Sequence, residues 1–458
     1  VSLAFGHAAA AGPDPRDPVV DPAQTAGSMT DTVCGAVLRQ DTPIWWWIAL
    51  APSLALLGLG VIAVGWLLFS GVQAWGNNWP TVWGFELINY VWWIGIASGG
   101  TFISSLFFLL RADWRTSLSR IAETMTLFTA ICAGIYPILH LGRPWYFYWL
   151  FPYPNTMKLW PQFKSPLLWD FIAILTYVIS SILFWYIGIL PDLATMRDRA
   201  QGRFAQVAYG SLALGFRGSG TQWRHYRSTY ATMAAIMAPL VVSVHSVVGL
   251  DFAGGETPGW HSTQFPPFFV FGAILSGFAA VLILVLPLRR LFRFEPFVTG
   301  RHIDVLCKLL LVSSLCVAYA YMMDAFSTYY GGDKAELSWF HDRLTGVHAP
   351  VYYLTLLLNC AVPQLFWWQA FRMNQIMVLL VSFSAIVGMW FERFGIVVVS
   401  LGHTELPSAW GIYHPSFWDY SLFAGTIGLF ATGFLLFIRL FPMVSMFEMR
   451  ELIEERAR

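Results

Sequence analysis

The chain runs to 458 residues, of which 57% are hydrophobic, 17% aromatic and 12% charged, with a mean hydropathy of +0.58. That balance lies far from the average soluble composition and describes an integral membrane protein whose main solvent is lipid. With 27 Lys and Arg against 26 Asp and Glu, no basic field is available to hold phosphates, which excludes nucleic acid as a partner.

From the N-terminus, residues 1–44 have a short apolar start without the basic region of a cleaved signal peptide, then turn to Pro, Asp and Ala. This stretch is expected to be an extended cytoplasmic arm, too poor in apolar residues to fold alone and draped over a partner or the protein's own face. A membrane-crossing helix needs roughly 20 mostly apolar residues. Ten stretches reach that length: residues 48–70, 90–110, 121–141, 167–190, 229–250, 267–288, 305–323, 351–371, 376–399 and 417–441. The runs are continuous rather than alternating in short units, which makes them helices and not barrel strands. The expected fold class is an all-α polytopic membrane protein of about ten transmembrane helices, the membrane domain covering residues 45–441. Residues 442–458 read as a short amphipathic cytoplasmic tail with a solvated charged face.

Loop charges orient the bundle, because cytoplasmic loops accumulate Lys and Arg. One set of loops carries Arg111, Arg115 and Arg120, then Arg197 to Arg227, then Arg289 to Arg301, and Arg372; the other set carries only Arg143, Lys158, Lys164, Lys334 and Arg343. Both termini are therefore expected in the cytoplasm and the sparsely charged loops outside. Those outer loops are rich in aromatic residues, as in WYFYWLFPYPN after the third helix, and are expected to dock an extracytoplasmic partner.

Ionisable residues inside a membrane are costly and mark candidate sites. His140 and Arg143 fall at the outer end of the third helix, Asp170 just inside the start of the fourth, and His245 and Asp251 at the end of the fifth. Thr101 and Ser104 on the second helix are expected at comparable depth. A histidine and carboxylates at one end of an apolar four-helix bundle suit a quinol: hydrogen bonds to the ring oxygens, proton acceptors, and apolar walls for an isoprenoid tail. Competing structural roles are interfacial anchoring for Arg143, packing for His245 and stabilising the helix start for Asp170. Asp324, His348, Glu392, Arg393 and His403 form a second, weaker collection. Glu392 and Arg393 are neighbours and point roughly 100° apart on a helix, so they need not pair. Cys34, Cys132, Cys307, Cys316 and Cys360 make no CxxC, CxxCH or Cys/His cluster. No metal site, iron–sulfur cluster or c-type haem is therefore expected in this chain.

These features resemble the NrfD/PsrC family of quinol-interacting membrane subunits, and most closely its ActC-type branch in alternative complex III. The matching stretches are NYVWWIGIASGGTFIS (residues 89–104), AGIYPILHLGRPWYFYWLFPYPN (133–155), SPLLWDF (165–171), YIGILPDLATMRDRA (186–200) and HSVVGLDFAGGETPGWHSTQFPPFFVFGA (245–273). The resemblance implies two four-helix bundles, helices 2–5 and 6–9, flanked by helices 1 and 10. It also implies quinol oxidation in the first bundle at the outer face of a bacterial cytoplasmic membrane. His140 and Asp251 match the expected quinol positions, with Asp170, Thr101, Ser104, Arg143 and His245 nearby. Asp324, Glu392, Arg393 and His403 become candidates for a proton route. Implied partners are an extracytoplasmic iron–sulfur subunit, a paralogous NrfD-like (ActF-type) membrane subunit and c-type cytochrome subunits; the implied substrate is menaquinol. Two other classes stay in view: a b-type cytochrome ligated by His140 and His245, and an ion-coupled secondary transporter. Against them stand the lack of paired histidines for two haems and of paired broken midplane helices.

Overall fold

The computed structural model describes residues 14–39, 41–150 and 163–457. Among them, ten helices are long and apolar enough to cross a membrane, so the chain is an all-α, multi-pass integral membrane protein. A capped helix, α1 (Ala26–Leu38), precedes them. The spans follow as α2 (Ile44–Ser70), α3 (Phe85–Thr101), α4 (Ser119–Leu139), α5 (Pro166–Arg199), α6 (Gly220–Ala253), α7 (Phe265–Leu291) and α8 (Gly300–Gly331). After the short α9 (Lys334–Thr345) come α10 (Ala349–Leu356), α11 (Gln375–Phe394) and α12 (Phe417–Leu440), and the chain ends in α13 (Met446–Ala457). Wider π-helical turns extend three spans: Phe102–Leu106 after α3, Leu357–Ala361 after α10 and Gly395–Val399 after α11.

The packing gives two rings of four. Helices α3, α4, α5 and α6 close one ring, and α7, α8, α10 and α11 the other, while the flanking α2 and α12 pack on each other. The rings join along α3 and α7, where Gly99 and Gly277 face each other so closely that a Cβ on either would collide with the backbone of the other. In lipid the apolar effect does not drive helices together, so such close backbone approach at small residues is what holds the seam.

Both ends of the chain depart from the expected arm and tail. Residues 26–38 are a helix rather than extended, because Thr25 and Ser28 cap each other's backbone N–H groups at 3.1 and 3.0 Å. Met29, Val33, Cys34 and Val37 then form a buried stripe. That stripe packs on α13, with Cys34 Sγ 3.5 Å from Met446 Sδ. The tail is likewise not simply a solvated charged helix. Met446, Met449 and Leu452 are buried, and Glu448 accepts a 2.6 Å hydrogen bond from the buried Arg115.

Candidate functional site

At the His140 end of the first ring the helices open a cavity of about 340 Å³, within the range of small-molecule sites. Four spans and three loops build it. From α3 come Glu86, Leu87 and Tyr90; from α4, Tyr136 and Pro137, with His140 just beyond; from the start of α5, Pro166 and Asp170; from the end of α6, Asp251 and Phe252. The loops add Trp83, Ser165, Gly254, Gly255 and Trp260.

Local sequence explains each placement. Pro137 lacks an N–H and so breaks the hydrogen-bond ladder in the last turn of α4; the helix stops at Leu139 and His140 caps it. Burial there holds the half-buried His140 imidazole below its usual value, opposed by the Pro137 and Tyr136 carbonyls. Pro166 at the first position of α5 fixes its start, putting Asp170 one turn inside. Tyr90 Oη donates to Asp170 Oδ1 at 2.5 Å, and both residues are buried. Asp251 lines the same cavity as Asp170 and Tyr90, and its Oδ1 has no hydrogen-bond partner. Beyond α6 the chain turns back at Gly259, whose φ of +82° and contact with the Trp339 ring exclude a side chain. Glu336 of α9 pins that turn by accepting from Gly259 N at 3.0 and 3.1 Å. Trp260 is thereby set into the wall, edge-on to Phe252 at 4.9 Å and stacked on Trp83 at 6.4 Å.

The arrangement offers an imidazole, three carboxyl groups, two of them with an oxygen to spare, and two phenols between flat aromatic walls. A flat ring bearing two hydroxyl or carbonyl groups fits those walls and donors. The family described as "Polysulphide reductase, NrfD" matches residues 74–403. The chain belongs to the NrfD family. It is also 28% identical over 240 residues to a dimethyl sulfoxide reductase membrane subunit of Halobacterium salinarum, covering 52% of this chain and 50% of that protein. It is 21% identical over 236 residues to a selenate reductase subunit of Mesobacillus selenatarsenatis, covering 49% and 53%. The chain thus spans about half the length of these curated relatives.

Other residues expected at the site lie elsewhere in this NrfD-family chain. Thr101 and Ser104, expected at the depth of His140, sit deeper: Thr101 is three turns below Tyr90 on α3, roughly 16 Å at 1.5 Å per residue. Thr101 Oγ1 bonds Tyr177 Oη at 2.6 Å and Ser104 Oγ donates to the Gly100 carbonyl at 3.0 Å, so neither reaches the cavity. His245 lies nearly two turns below Asp251, its Nδ1 2.8 Å from Ser98 Oγ and its Nε2 unpartnered. It does not line the cavity that His140 lines. Arg143 is exposed, outside that lining, and Trp145, Tyr146, Phe147, Tyr148 and Trp149 beyond it are exposed too. The remainder of that aromatic loop, residues 151–162 with Lys158, lies outside the described residues.

The second ring holds a smaller cavity, about 70 Å³, lined by Asp324, Arg343, His348, Tyr321 and Glu392 among others. It has room for a few water molecules rather than a quinone ring. Glu392 and Arg393 do approach each other, contrary to the expectation from their helical angle: Arg393 Nη1 is 2.8 Å from Glu392 Oε1, without hydrogen-bond alignment. The missing side chain of Gly272 leaves the space in which the guanidinium lies, 4.1 Å over the Phe269 ring. Tyr321 Oη donates to Glu392 Oε2 and itself accepts from Asn359 Nδ2 at 3.1 Å. Asp324 is engaged by Arg343 at 3.0 Å. His403 stands apart from these groups, stacked 3.8 Å on Trp410 and 3.2 Å from Ser338 Oγ.

Sequence reasoning missed Glu86, Tyr90 and Tyr136 at the cavity. It also counted Arg115 and Arg120 as loop charges, whereas both are buried. Arg120 bonds Glu123 Oε2 and Asp192 Oδ2, each at 3.0 Å, and the Gly188 carbonyl at 2.7 Å. The i,i+3 spacing of Arg120 and Glu123 was the available signal for a pair on one helix face. Among the described residues no three His, Cys, Asp or Glu side chains converge to hold a metal ion.

Proposed function

We propose that this NrfD-family subunit binds a quinol in the His140–Asp170–Asp251 cavity and takes part in its oxidation. The observation that carries the proposal is the convergence of an imidazole, three carboxyl groups and two tyrosines on one aromatic-walled cavity of about 340 Å³. A quinol supplies two hydroxyl protons and two electrons. His140 receives a hydrogen bond from one hydroxyl and accepts its proton; the free Oδ1 of Asp251, with Asp170 beside it, serves the other. Tyr90 keeps Asp170 turned towards the cavity. This chain's sequence has no framework for a cofactor of its own, so the electrons pass to a neighbouring subunit.

The names of the two relatives, a dimethyl sulfoxide reductase membrane subunit and a selenate reductase subunit, support a place in a multisubunit oxidoreductase, in which we assign the electrons to an extracytoplasmic iron–sulfur subunit. Within that frame we assign the chain to the alternative complex III type, with menaquinol as substrate and a paralogous membrane subunit and c-type cytochromes as further partners. The membrane is a bacterial cytoplasmic one. The arginine-rich ends of the helices face the cytoplasm, by the positive-inside rule, so the cavity opens outward and protons are released there. Asp324, Glu392 and Arg393, with His403 further out, are the corresponding candidates for a proton route through the second ring.

The test is turnover of a short-chain naphthoquinol by the isolated complex. Replacing His140 by Gln or Asp251 by Asn should lower it by about 10²-fold or more, the usual size of a general-base contribution. Burial lowers the His140 value, so its neutral, proton-accepting form persists to more acid pH than in a solvated histidine. The native rate should fall only as pH drops through that lowered value, and H140Q should lose this acid limb. Unchanged turnover in both variants would refute the site.

A further inference from the structure

Glu86 is a buried carboxylate that the scheme above does not use. It lies in the first turn of α3, lines the cavity and is 3% exposed. Its Oε1 accepts from Asn77 Nδ2 at 2.7 Å and from Gly84 N at 3.1 Å, while its Oε2 has no partner. No Lys, Arg or His forms an ion pair with it among the described residues. An isolated buried carboxyl group with a spare oxygen is costly to keep as a structural element alone.

Its position relative to the acidic pair is set by the helix. Glu86 and Tyr90 are four residues apart on α3 and so share a face, with Glu86 just over one turn, roughly 6 Å, nearer the membrane surface. Tyr90 holds Asp170. On its other side Glu86 reaches Asn77, which is half-buried and followed by the exposed Asn78 and Trp79. The titratable groups facing this region are Tyr90, Tyr136 and Asp170 within the cavity, and Asp419 of α12 with Tyr413, whose hydroxyl donates to Asp419 at 3.2 Å. Glu86 therefore stands between the cavity's acidic pair and the loop that meets water.

We propose that Glu86 is the proton outlet of the cavity, taking up as a carboxylate the proton that Asp170 and Asp251 accept from the bound quinol and releasing it past Asn77 to the aqueous surface. The inference rests on the quinol reading of the site. In balance, an O–H bond at the acidic pair breaks as one forms on Glu86, and a second transfer to water restores the carboxylate. The two electrons of the quinol leave separately to an iron–sulfur subunit.

Glu86→Gln separates this role from a structural one, because Gln still offers an oxygen to Asn77 and Gly84 N but cannot take up the proton. The isolated complex is compared as native, E86Q, E86D and D251N forms in three measurements. These are fluorescence titration with 2-heptyl-4-hydroxyquinoline N-oxide, turnover of a short-chain naphthoquinol, and the carboxyl stretch in redox-induced infrared difference spectra. E86Q is expected to bind the inhibitor within about twofold of native, to lose about 10²-fold in turnover and to lose one carboxyl band; E86D should recover part of the rate. Native-like turnover and an unchanged carboxyl band in E86Q, with D251N slow, would overturn the outlet while leaving the quinol site standing. Failure of E86Q to assemble while E86D assembles would assign the carboxylate to folding and also overturn it. D251N with native inhibitor binding and native turnover would instead remove the quinol reading beneath it.

Discussion

The hydroxyl of Tyr90 offers a sharp probe of how the cavity is poised. Tyr90→Phe removes one oxygen from a residue that is only 3% exposed and leaves the ring that packs α3. What it takes away is the 2.5 Å bond to Asp170 Oδ1, the hydrogen bond that orients this carboxyl group. Hydrogen bonds to charged groups contribute about 1.5–3 kcal/mol. If that orientation is needed only when a proton is transferred, the loss appears in the rate, as about a 10- to 150-fold fall in turnover. The assay is naphthoquinol turnover by the isolated complex, with inhibitor affinity measured alongside to separate binding from transfer. A double-mutant cycle decides whether Tyr90 acts through Asp170: in an Asp170→Asn background, Y90F should cost less than about threefold. A full, additive loss in that background, or native turnover in Y90F alone, refutes the coupling.

Two further predictions concern what holds the cavity in place. Arg120→Ala strips both ion pairs from Glu123 and Asp192, whose side chains are 2% and 1% exposed. Leaving buried charges unpaired costs about 3–5 kcal/mol, so the protein should melt well below the native one in detergent or nanodiscs, and an unchanged melting temperature would count against a structural cluster. Gly99→Val puts a branched side chain where the Gly277 backbone lies, so the two rings cannot close; little folded protein should reach the membrane, and normal accumulation with native melting would show that the seam can shift.

The parts of the fold that sequence makes legible are those set by one-dimensional patterns. Ten apolar runs give ten spans because lipid forces each crossing segment to satisfy its own backbone. His140, Asp170 and Asp251 could be brought to one level because each stands at the end of an apolar run, and run ends share a depth. Thr101 and Ser104 broke that reasoning: they belong to a run whose start, not its centre, lies at the cavity. Counting from Glu86 or Tyr90 instead of from the motif's serine and threonine residues would have reached the right turn. The pairing of Glu392 with Arg393 was illegible for another reason, since it depends on the space left by Gly272 on a different helix. Arg120 looked like a loop charge because its partner Asp192 lies on α5, far along the chain.

Burial alone does not separate structural charges from working ones; the state of their partners does. In the Arg120 cluster all four carboxylate oxygens are engaged: Glu123 by Arg120 and Tyr230, Asp192 by Arg120 and the Met446 N–H. Its carboxylates have no oxygen left for a ligand, its one unpartnered atom, Arg120 Nε, borders neither cavity, and its task is to join α4, α5 and α6 to the C-terminal helix. At the opposite end of the same ring, Asp251 Oδ1 and Glu86 Oε2 lack partners, and both residues line a cavity. An unsatisfied buried oxygen carries a desolvation cost of about 1–3 kcal/mol, which a hydroxyl-bearing ligand removes at Asp251 and an incoming proton removes at Glu86. His245 tests the distinction from the other side: its Nε2 is also unpartnered, yet it borders neither cavity. Spare hydrogen-bonding capacity therefore points to a site only where space adjoins it, and in the first ring both conditions meet at the end where His140 lies.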